Sequence, residues 1–375
     1  MDFNLSEQEK MLQRMAKEFA IKSVQPRAAE IDRSGQFPFD LAKEMGGLGY
    51  QGLPYPVEYG GSGAGYLSYT LVLEQICQAS MTAGAIMSVN TVPEEAVFRF
   101  GNEEQKKAFL TPLAQGKLLG CIAFTEAETG SDPRAITTIA RKSGNGYIIT
   151  GQKQFVALAP AANLALVFTK HQGEGLNAFI VDTASPGFVI REPCETMGLR
   201  GLGTSVVYLD DVYVPQQNLI GEEGQGFDIL LEAMSLERLS VAVQAVAVAQ
   251  SALELSIGYA KERQALGKPI AKLPTIQWHL AEMVIGIEAG RWLAYRTAFS
   301  RDRGSDIRYE SSVAKLFASQ VAVEVTRMAM QVTGAYGTMK TMPVERLYRD
   351  AKMTEIYVGI SEIQRYIIAS HLIAD

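Results

Sequence analysis

The chain has 375 residues, 47% hydrophobic and 20% charged, with 34 Gly and 14 Pro; at about 150 residues per unit this predicts two or three compact domains and excludes a disordered or collagen-like chain. Lys and Arg total 35 against 41 Asp and Glu, a formal charge of -6, and no basic run exceeds a pair such as Lys106-Lys107. A nucleic-acid partner or an anionic membrane surface is therefore not expected.

In chain order, the opening MDFNLSEQEK shows no basic-then-apolar leader, and Cys77, Cys121 and Cys194 are dispersed without Cys-x-x-Cys spacing. Together these predict a reduced, cytoplasmic protein. From Leu5 to about Lys117 apolar residues recur at helical spacing, as in Met11, Met15 and Phe19, between Gly- and Pro-rich loops. The run Gly60-Gly61-Ser62-Gly63-Ala64-Gly65 has no preceding strand and lacks G-x-G-x-x-G spacing, so it reads as a flexible turn and not as a dinucleotide fingerprint.

From Cys121 to about Leu219 the pattern shifts to short β-rich runs: Cys121 to Thr125, Ala135 to Ala140, Tyr147 to Thr150, Ala165 to Thr169, Ala178 to Val181, Phe188 to Arg191 and Ser205 to Val214. Turn residues such as Ser143 to Gly146 and Ser185-Pro186-Gly187 separate them, which predicts an antiparallel barrel or sandwich and not βαβ units. After Gly224-Gln225-Gly226 come four long helical stretches, about Phe227 to Gln264, Thr275 to Arg301, Tyr309 to Thr333 and Val344 to Ile373, the pattern of an up-and-down bundle. Leu239 to Ala260 is the most apolar stretch, but Ser240, Gln244, Gln250, Ser251 and Glu254 interrupt it, so it predicts a buried helix and not a membrane span. The expected class is α+β: an N-terminal helical domain (1–120), a central antiparallel β domain (121–222) and a C-terminal four-helix bundle (223–375), with the domain junctions as the natural place for a cofactor.

His171, His279 and His371 stand apart from one another and from Cys, which gives a metal site little support, and no G-x-S-x-G nucleophile turn occurs. What remains are carboxylates in apolar company. Glu237, in SLERLSVAVQAVAVA, sits in a helical stretch that should be buried nearly all round. Two readings are open for it: an ion pair or solvated first turn, or a general base whose pKa an apolar pocket raises. Glu126, Glu355 and Glu362 lie at segment ends beside Thr or Ser and read as caps or hydrogen-bonding groups.

Six ordered segments resemble the flavin-dependent acyl-CoA dehydrogenases along essentially the whole chain. They are Phe100-Gly101-x-x-x-Gln105-Lys106, Phe124-Thr125-Glu126-Ala127-Glu128-Thr129-Gly130-Ser131-Asp132, Gly151-Gln152-Lys153, Tyr259-Ala260-x-Glu262-Arg263-x-x-x-Gly267-Lys268-Pro269, Pro343-Val344-Glu345-Arg346-x-x-Arg349-Asp350, and Ile356 to Arg365. The resemblance implies a homotetramer with FAD between the β domain and the bundle, an acyl-CoA substrate, and electrons passed to an electron-transfer flavoprotein. It implies cofactor contacts from Phe124, Thr125, Gly130, Ser131, Phe155, Ala157, Ile360 and Glu362, with Arg263, Gln331 and Gly334 reaching a neighbouring subunit's flavin. Ser131, Arg238, Tyr357, Val358 and Gly359 are implied on the substrate side, with the Val358 N–H as a donor to the thioester carbonyl.

Most relatives carry the catalytic Glu where this chain has Val358, a side chain that cannot accept a proton. Two branches, those resembling isovaleryl-CoA and long-chain acyl-CoA dehydrogenases, place the base on the first bundle helix in a Leu-Glu-Arg or Gln-Glu-Arg sequence. Leu236-Glu237-Arg238 matches that position, so the resemblance implies Glu237 as the base. Tyr357, where the isovaleryl-like branch commonly has Gly, departs from that branch, and Met81 to Asn90 resembles the helix lining the acyl pocket. Phe155-Val156-Ala157 replaces the family's Trp-Ile-Thr and removes the hydroxyl that bonds flavin N5; Leu266, Pro274, Ala335 and Ile360 also depart, and Ser235 replaces an Asp near the CoA chain. The alternatives on the same fold are an enoyl-CoA reductase, a non-redox acyl-CoA lyase, or a non-catalytic binding protein.

Overall fold

The computed structural model describes residues 4–171 and 175–373. The N-terminal part is helical, as the periodicity predicts. Helix α1 (Glu7–Phe19) starts at a capping box in which Ser6 Oγ accepts from Glu9 N and Glu9 Oε2 accepts from Ser6 N. After α2 (Ala28–Ser34) and α3 (Phe39–Gly47), α4 (Gly65–Ala79) and α5 (Met81–Phe100) are parted only by Ser80, whose extended backbone breaks the helix and whose hydroxyl caps the next one. α5 is buried continuously from Met81 to Val97. Short turns α6 (Glu103–Gln105) and α7 (Thr111–Ala114) lead to the sheet. Within the Gly60 to Gly65 turn Gly61 is closely packed, a Cβ there lying 2.1 Å from the Tyr55 carbonyl oxygen, while Ser62 and Gly63 are exposed.

The central sheet comprises β1 (Gly120–Ala123), β2 (Ile139–Ser143), β3 (Gly146–Val156), β4 (Leu164–Lys170), β5 (Leu176–Asp182), β6 (Phe188–Ile190), β7 (Ser205–Pro215) and β8 (Leu219–Ile220). Its order is β6-β7-β3-β2-β4-β5-β8, with β1 beside β4. Most pairs are antiparallel, but β4 receives both β1 and the start of β2 in parallel. β1 enters from the helical domain, anchored where Asn90 Oδ1 accepts from Gly120 N at 2.7 Å, and so arrives alongside β4 and not through a hairpin. Six consecutive residues of β4 and of β5 are buried, which requires cover on both faces of the sheet.

The run read as a strand from Ala135 to Ala140 is a 3₁₀ turn, Pro133–Ala135, followed by a strand that begins only at Ile139. The reason is Glu126. Its carboxylate accepts from the backbone N–H and hydroxyl of both Thr137 and Thr138, at 2.6 to 3.0 Å, and from Lys153 Nζ at 2.8 Å, so those amides are turned away from any ladder. Burial alone would raise this carboxyl, but the Lys153 ammonium and the threonine donors outweigh it and hold Glu126 down at about 2.

The C-terminal part is built on α8 (Gly226–Glu262), 37 residues long. A small hairpin of β9 (Gln264–Ala265) and β10 (Lys268–Pro269) follows, then α9 (Pro274–Asp302) and α10 (Arg308–Thr333). α8 is long and apolar enough to cross a membrane by length and composition, but it runs through the interior, packed against α4, α5, α9 and α10. The fourth predicted stretch is two helices, α11 (Pro343–Thr354) and α12 (Ser361–Ile373). They are split where Val358 and Gly359 adopt φ of 58° and 90°.

Lys153→Met leaves the Glu126 carboxylate buried without its cation, and the expected loss is about 3–5 kcal/mol in urea unfolding. A loss below about 1 kcal/mol would mean the threonine donors hold this turn alone.

Candidate active site

Glu237 lies on α8 with its side chain enclosed and only 2% of the residue exposed. It forms no ion pair among the described residues, which removes the ion-pair reading, and Oε2 has no hydrogen-bond partner. Oε1 is held by Ser88 Oγ from α5 at 3.0 Å. Ser88 Oγ in turn accepts from Gln244 Nε2 at 2.8 Å, and Gln244 Oε1 accepts from the Tyr357 hydroxyl. Tyr69 on α4 closes another side, hydrogen-bonded to Ser240 Oγ at 3.0 Å. Burial in this neutral surround raises Glu237 to about 8, with the Ser88 contact acting against the shift.

The break between α11 and α12 brings Val358 beside this carboxylate's neighbours. A β-branched residue at φ 58° is strained, and such strain is held by its surroundings. Here the restraint is visible: Lys315 Nζ donates to Gly359 O at 2.8 Å, and Gln364 Nε2 donates to Val358 O and Gly359 O at 3.1 and 2.9 Å. The Val358 N–H makes no hydrogen bond among the described residues. Arg238 is buried with its Nε unpartnered and lies near Lys315, which burial and Arg238 together bring down to about 7.

A second group of predicted residues gathers at the edge of the sheet. Gln154 N donates to Thr125 O at 2.7 Å and Lys153 Nζ to Phe124 O at 3.2 Å, which fixes the 124–131 loop against the end of β3. Paired backbone bonds between Glu126 and Thr129 close that loop and leave Gly130 and Ser131 exposed. Next to it Phe155 sits at φ 55° with 65% of the residue exposed, two residues from the small, partly buried Ala157. A strained backbone presenting an uncovered phenyl ring, with a methyl-sized neighbour and exposed polar loop residues, fits a flat aromatic cofactor. Ile360 is partly buried and Glu362 exposed at the start of α12.

Arg263, Gln331 and Gly334 fall at the far ends of α8 and α10, all exposed, with the Arg263 guanidinium 5.8 Å from the Tyr336 ring centroid. They share no hydrogen bond or ion pair with the first two groups among the described residues. Glu126 is a hydrogen-bonding group as read. Glu355 caps α11 and pairs with Lys352 Nζ at 2.6 Å.

Sequence reasoning missed Ser88, Gln244, Tyr69, Lys315 and Gln364. Gln244 was detectable, because it lies seven residues, two helical turns, after Glu237 and so on the same face.

A buried carboxylate with one free oxygen, a strained backbone donor next to the Tyr357 end of its hydrogen-bond chain and an exposed aromatic ledge are features suited to an enzyme that works with a flat cofactor. Three family models match in order: Acyl-CoA dehydrogenase, N-terminal domain, at residues 6–117; middle domain, at 121–212; and C-terminal domain, at 224–373. A Bacillus subtilis (strain 168) acyl-CoA dehydrogenase is 40% identical, covering 99% of both chains. The solved butyryl-CoA dehydrogenase of Megasphaera elsdenii superposes with a TM-score of 0.98 at 34% identity over 100% of both chains. A chain from the structure of the electron transferring flavoprotein of Acidaminococcus fermentans matches equally, TM-score 0.98 at 36% identity and 100% of both. The chain belongs to the acyl-CoA dehydrogenase family.

The raised ionisation of Glu237 carries a stability signature. Folded it titrates near 8, against an ordinary 4.5 when unfolded, so its contribution is full below 4.5 and lost as the pH rises through 8. Gln cannot ionise, so in ligand-free protein Glu237→Gln is expected to gain Tm over the unsubstituted chain as the pH goes from about 5 to about 9. A difference that stays flat with pH would mean that Glu237 titrates normally.

Proposed function

We propose that this protein is an FAD-dependent acyl-CoA dehydrogenase that converts a short-chain acyl-CoA to the trans-2-enoyl-CoA, with Glu237 as the general base. The observation that carries the reading is the Glu237 carboxylate, buried, without a counter-ion, one oxygen held and the other free. In the reaction Glu237 Oε2 takes the proton from the carbon α to the thioester. As enolate charge grows on the thioester oxygen, the unpartnered Val358 N–H donates to it, a role that survives loss of the usual carboxylate side chain because it belongs to the backbone. The enclosure by Tyr69, Tyr357 and α5 excludes water, so the base is not levelled by solvent. Bound FAD supplies the acceptor for the hydride that leaves the β carbon, so that a carbon–carbon double bond forms as both C–H bonds break.

Phe124, Thr125, Gly130, Ser131, Phe155, Ala157, Ile360 and Glu362 would hold that cofactor, and Arg263, Gln331 and Gly334 would serve the neighbouring subunit's. Arg238, Ser131, Tyr357 and Gly359 are assigned to the substrate side, and the three units to residues 1–120, 121–222 and 223–375. The short acyl chain is supported by the likeness to butyryl-CoA dehydrogenase, and an electron-transfer flavoprotein as acceptor by the Acidaminococcus likeness. The protein is read as a cytoplasmic enzyme of fatty acid metabolism.

Assembly as a homotetramer has a structural support that the sequence reading lacked. Trp278, Ile285, Trp292 and Phe299 recur every seven residues along α9, a single stripe between 47% and 70% exposed. An apolar stripe of that spacing is what a helix presents to a partner helix.

Anaerobic mixing with butyryl-CoA is expected to bleach the flavin. General-base removal typically costs about 10² to 10⁴ in rate, so Glu237→Gln should bind FAD and ligand while bleaching slows by that order. Unchanged bleaching in Glu237→Gln would overturn the base, and none at all with any saturated acyl-CoA would favour the reductase or lyase reading. By light scattering, Trp278→Glu with Ile285→Glu should shift a tetramer to smaller species; a stripe that takes two charges with no change in mass is not an interface.

A further inference from the structure

The hydrogen bonds that end on Glu237 have a fixed direction. An amide Nε2 can only donate and an amide Oε1 can only accept. The Tyr357 hydroxyl therefore donates to Gln244 Oε1, and Gln244 Nε2 donates to Ser88 Oγ. With one lone pair so occupied, the single Ser88 proton has two acceptors within reach, Glu237 Oε1 at 3.0 Å and Ala85 O at 3.3 Å. When Glu237 is ionised, Ser88 donates to it. When Glu237 is protonated, its hydroxyl donates to the second lone pair of Ser88 Oγ and the serine proton turns to Ala85 O. Each state satisfies the same four groups with one proton moved and one hydroxyl rotated.

We propose that Tyr357, Gln244 and Ser88 form a one-way hydrogen-bond relay that positions and tunes Glu237, anchoring Oε1 so that Oε2 alone faces the acyl-CoA. This deepens the proposed function and rests on Glu237 being the base. Ser88, Gln244 and Tyr357 are positioning residues, drawn from three separate elements: α5, α8 and the segment between α11 and α12. Ser88 and Gln244 are fully buried, so water cannot replace a missing member at no cost. The other titratable groups facing Glu237 are Tyr69 and Cys77 from α4, both neutral with ionisation pushed up by burial, and Tyr357 itself. From α10, Lys315 is committed to Gly359 O, with Arg238 near it. Among these neighbours the relay is the one hydrogen-bonded connection to the carboxylate.

The test is the pH profile of flavin reduction in Ser88→Ala, Gln244→Leu and Tyr357→Phe, together with an infrared titration of the buried carboxyl in ligand-free protein. Glu94 is also fully buried with its ionisation pushed up, so the Glu237 carboxyl C=O band is read as the difference between the unsubstituted protein and Glu237→Gln, and that difference should be lost as the pH passes the Glu237 midpoint. Ser88→Ala removes the donor to the charged form, so the acidic limb and the infrared midpoint both move up, by about one pH unit. Gln244→Leu and Tyr357→Phe move them the same way by smaller, decreasing amounts, with kcat falling more than KM rises. Ser88→Thr, which keeps the hydroxyl, should restore the original midpoint. Midpoints and limbs that coincide with the unsubstituted protein in all three variants would overturn the relay while a slow Glu237→Gln leaves the base intact. A fast Glu237→Gln overturns the base, and with it the relay's object. If Ser88→Ala fails to fold, Tyr357→Phe, on the inter-helix segment, decides by the same two readings.

Discussion

Burying a carboxylate without a cation is among the most costly things a fold can do, and the candidate site is arranged around such a group. Several kcal/mol oppose ionisation of Glu237 in its pocket, and the protein meets that cost with a single neutral donor and not with a salt bridge. The contrast with Glu126 is instructive. There a buried glutamate, less deeply enclosed than Glu237, receives four threonine donors and Lys153, and is held ionised far below neutrality. One carboxylate is a structural knot that organises a loop; the other is more deeply buried and left under-satisfied, so burial and partners act in the same direction to part them.

The rest of the architecture keeps that under-satisfied state stable. α8 is wrapped by α4, α5, α9 and α10, so its middle turns are cut off from solvent. The break between α11 and α12 places a strained backbone next to the pocket, and Lys315 and Gln364 hold its carbonyls so that the Val358 N–H remains uncommitted. At the sheet edge the Glu126 knot shapes the 124–131 loop, and the adjoining Phe155 offers an exposed ring. The proposed proton acceptor and carbonyl donor thus come from the C-terminal part and the proposed cofactor ledge from the sheet, with Ser88 of the N-terminal part holding the acceptor.

Much of this was legible in the residues. The helical, β, helical order followed from periodicity, strands such as Ala165 to Thr169 lie within observed ones, and Glu237 was conspicuous because its neighbours are so apolar. Two local errors have a common cause. The helical pattern from Val344 to Ile373 does not register Val358 and Gly359, because their left-handed backbone is imposed by tertiary donors. The β-rich run from Ala135 does not register Glu126 capturing the amides of Thr137 and Thr138. Polar partners from other elements are equally silent: Ser88 looks like one small residue in a buried helix, and only its distance to Glu237 gives it meaning. The exposed stripe on α9 was readable at a spacing of seven but is diluted by the partly exposed polar residues between its members.

The central claim is that Glu237, and no other group, removes the α proton. The most direct measurement separates that step from hydride transfer by using anaerobically reduced protein, which cannot accept a hydride, with butyryl-CoA in D₂O, and following deuterium at the α carbon by mass spectrometry. The account predicts steady exchange in the unsubstituted protein and exchange slowed by at least about 10² in Glu237→Gln. Exchange that continues at the original rate in Glu237→Gln would contradict it.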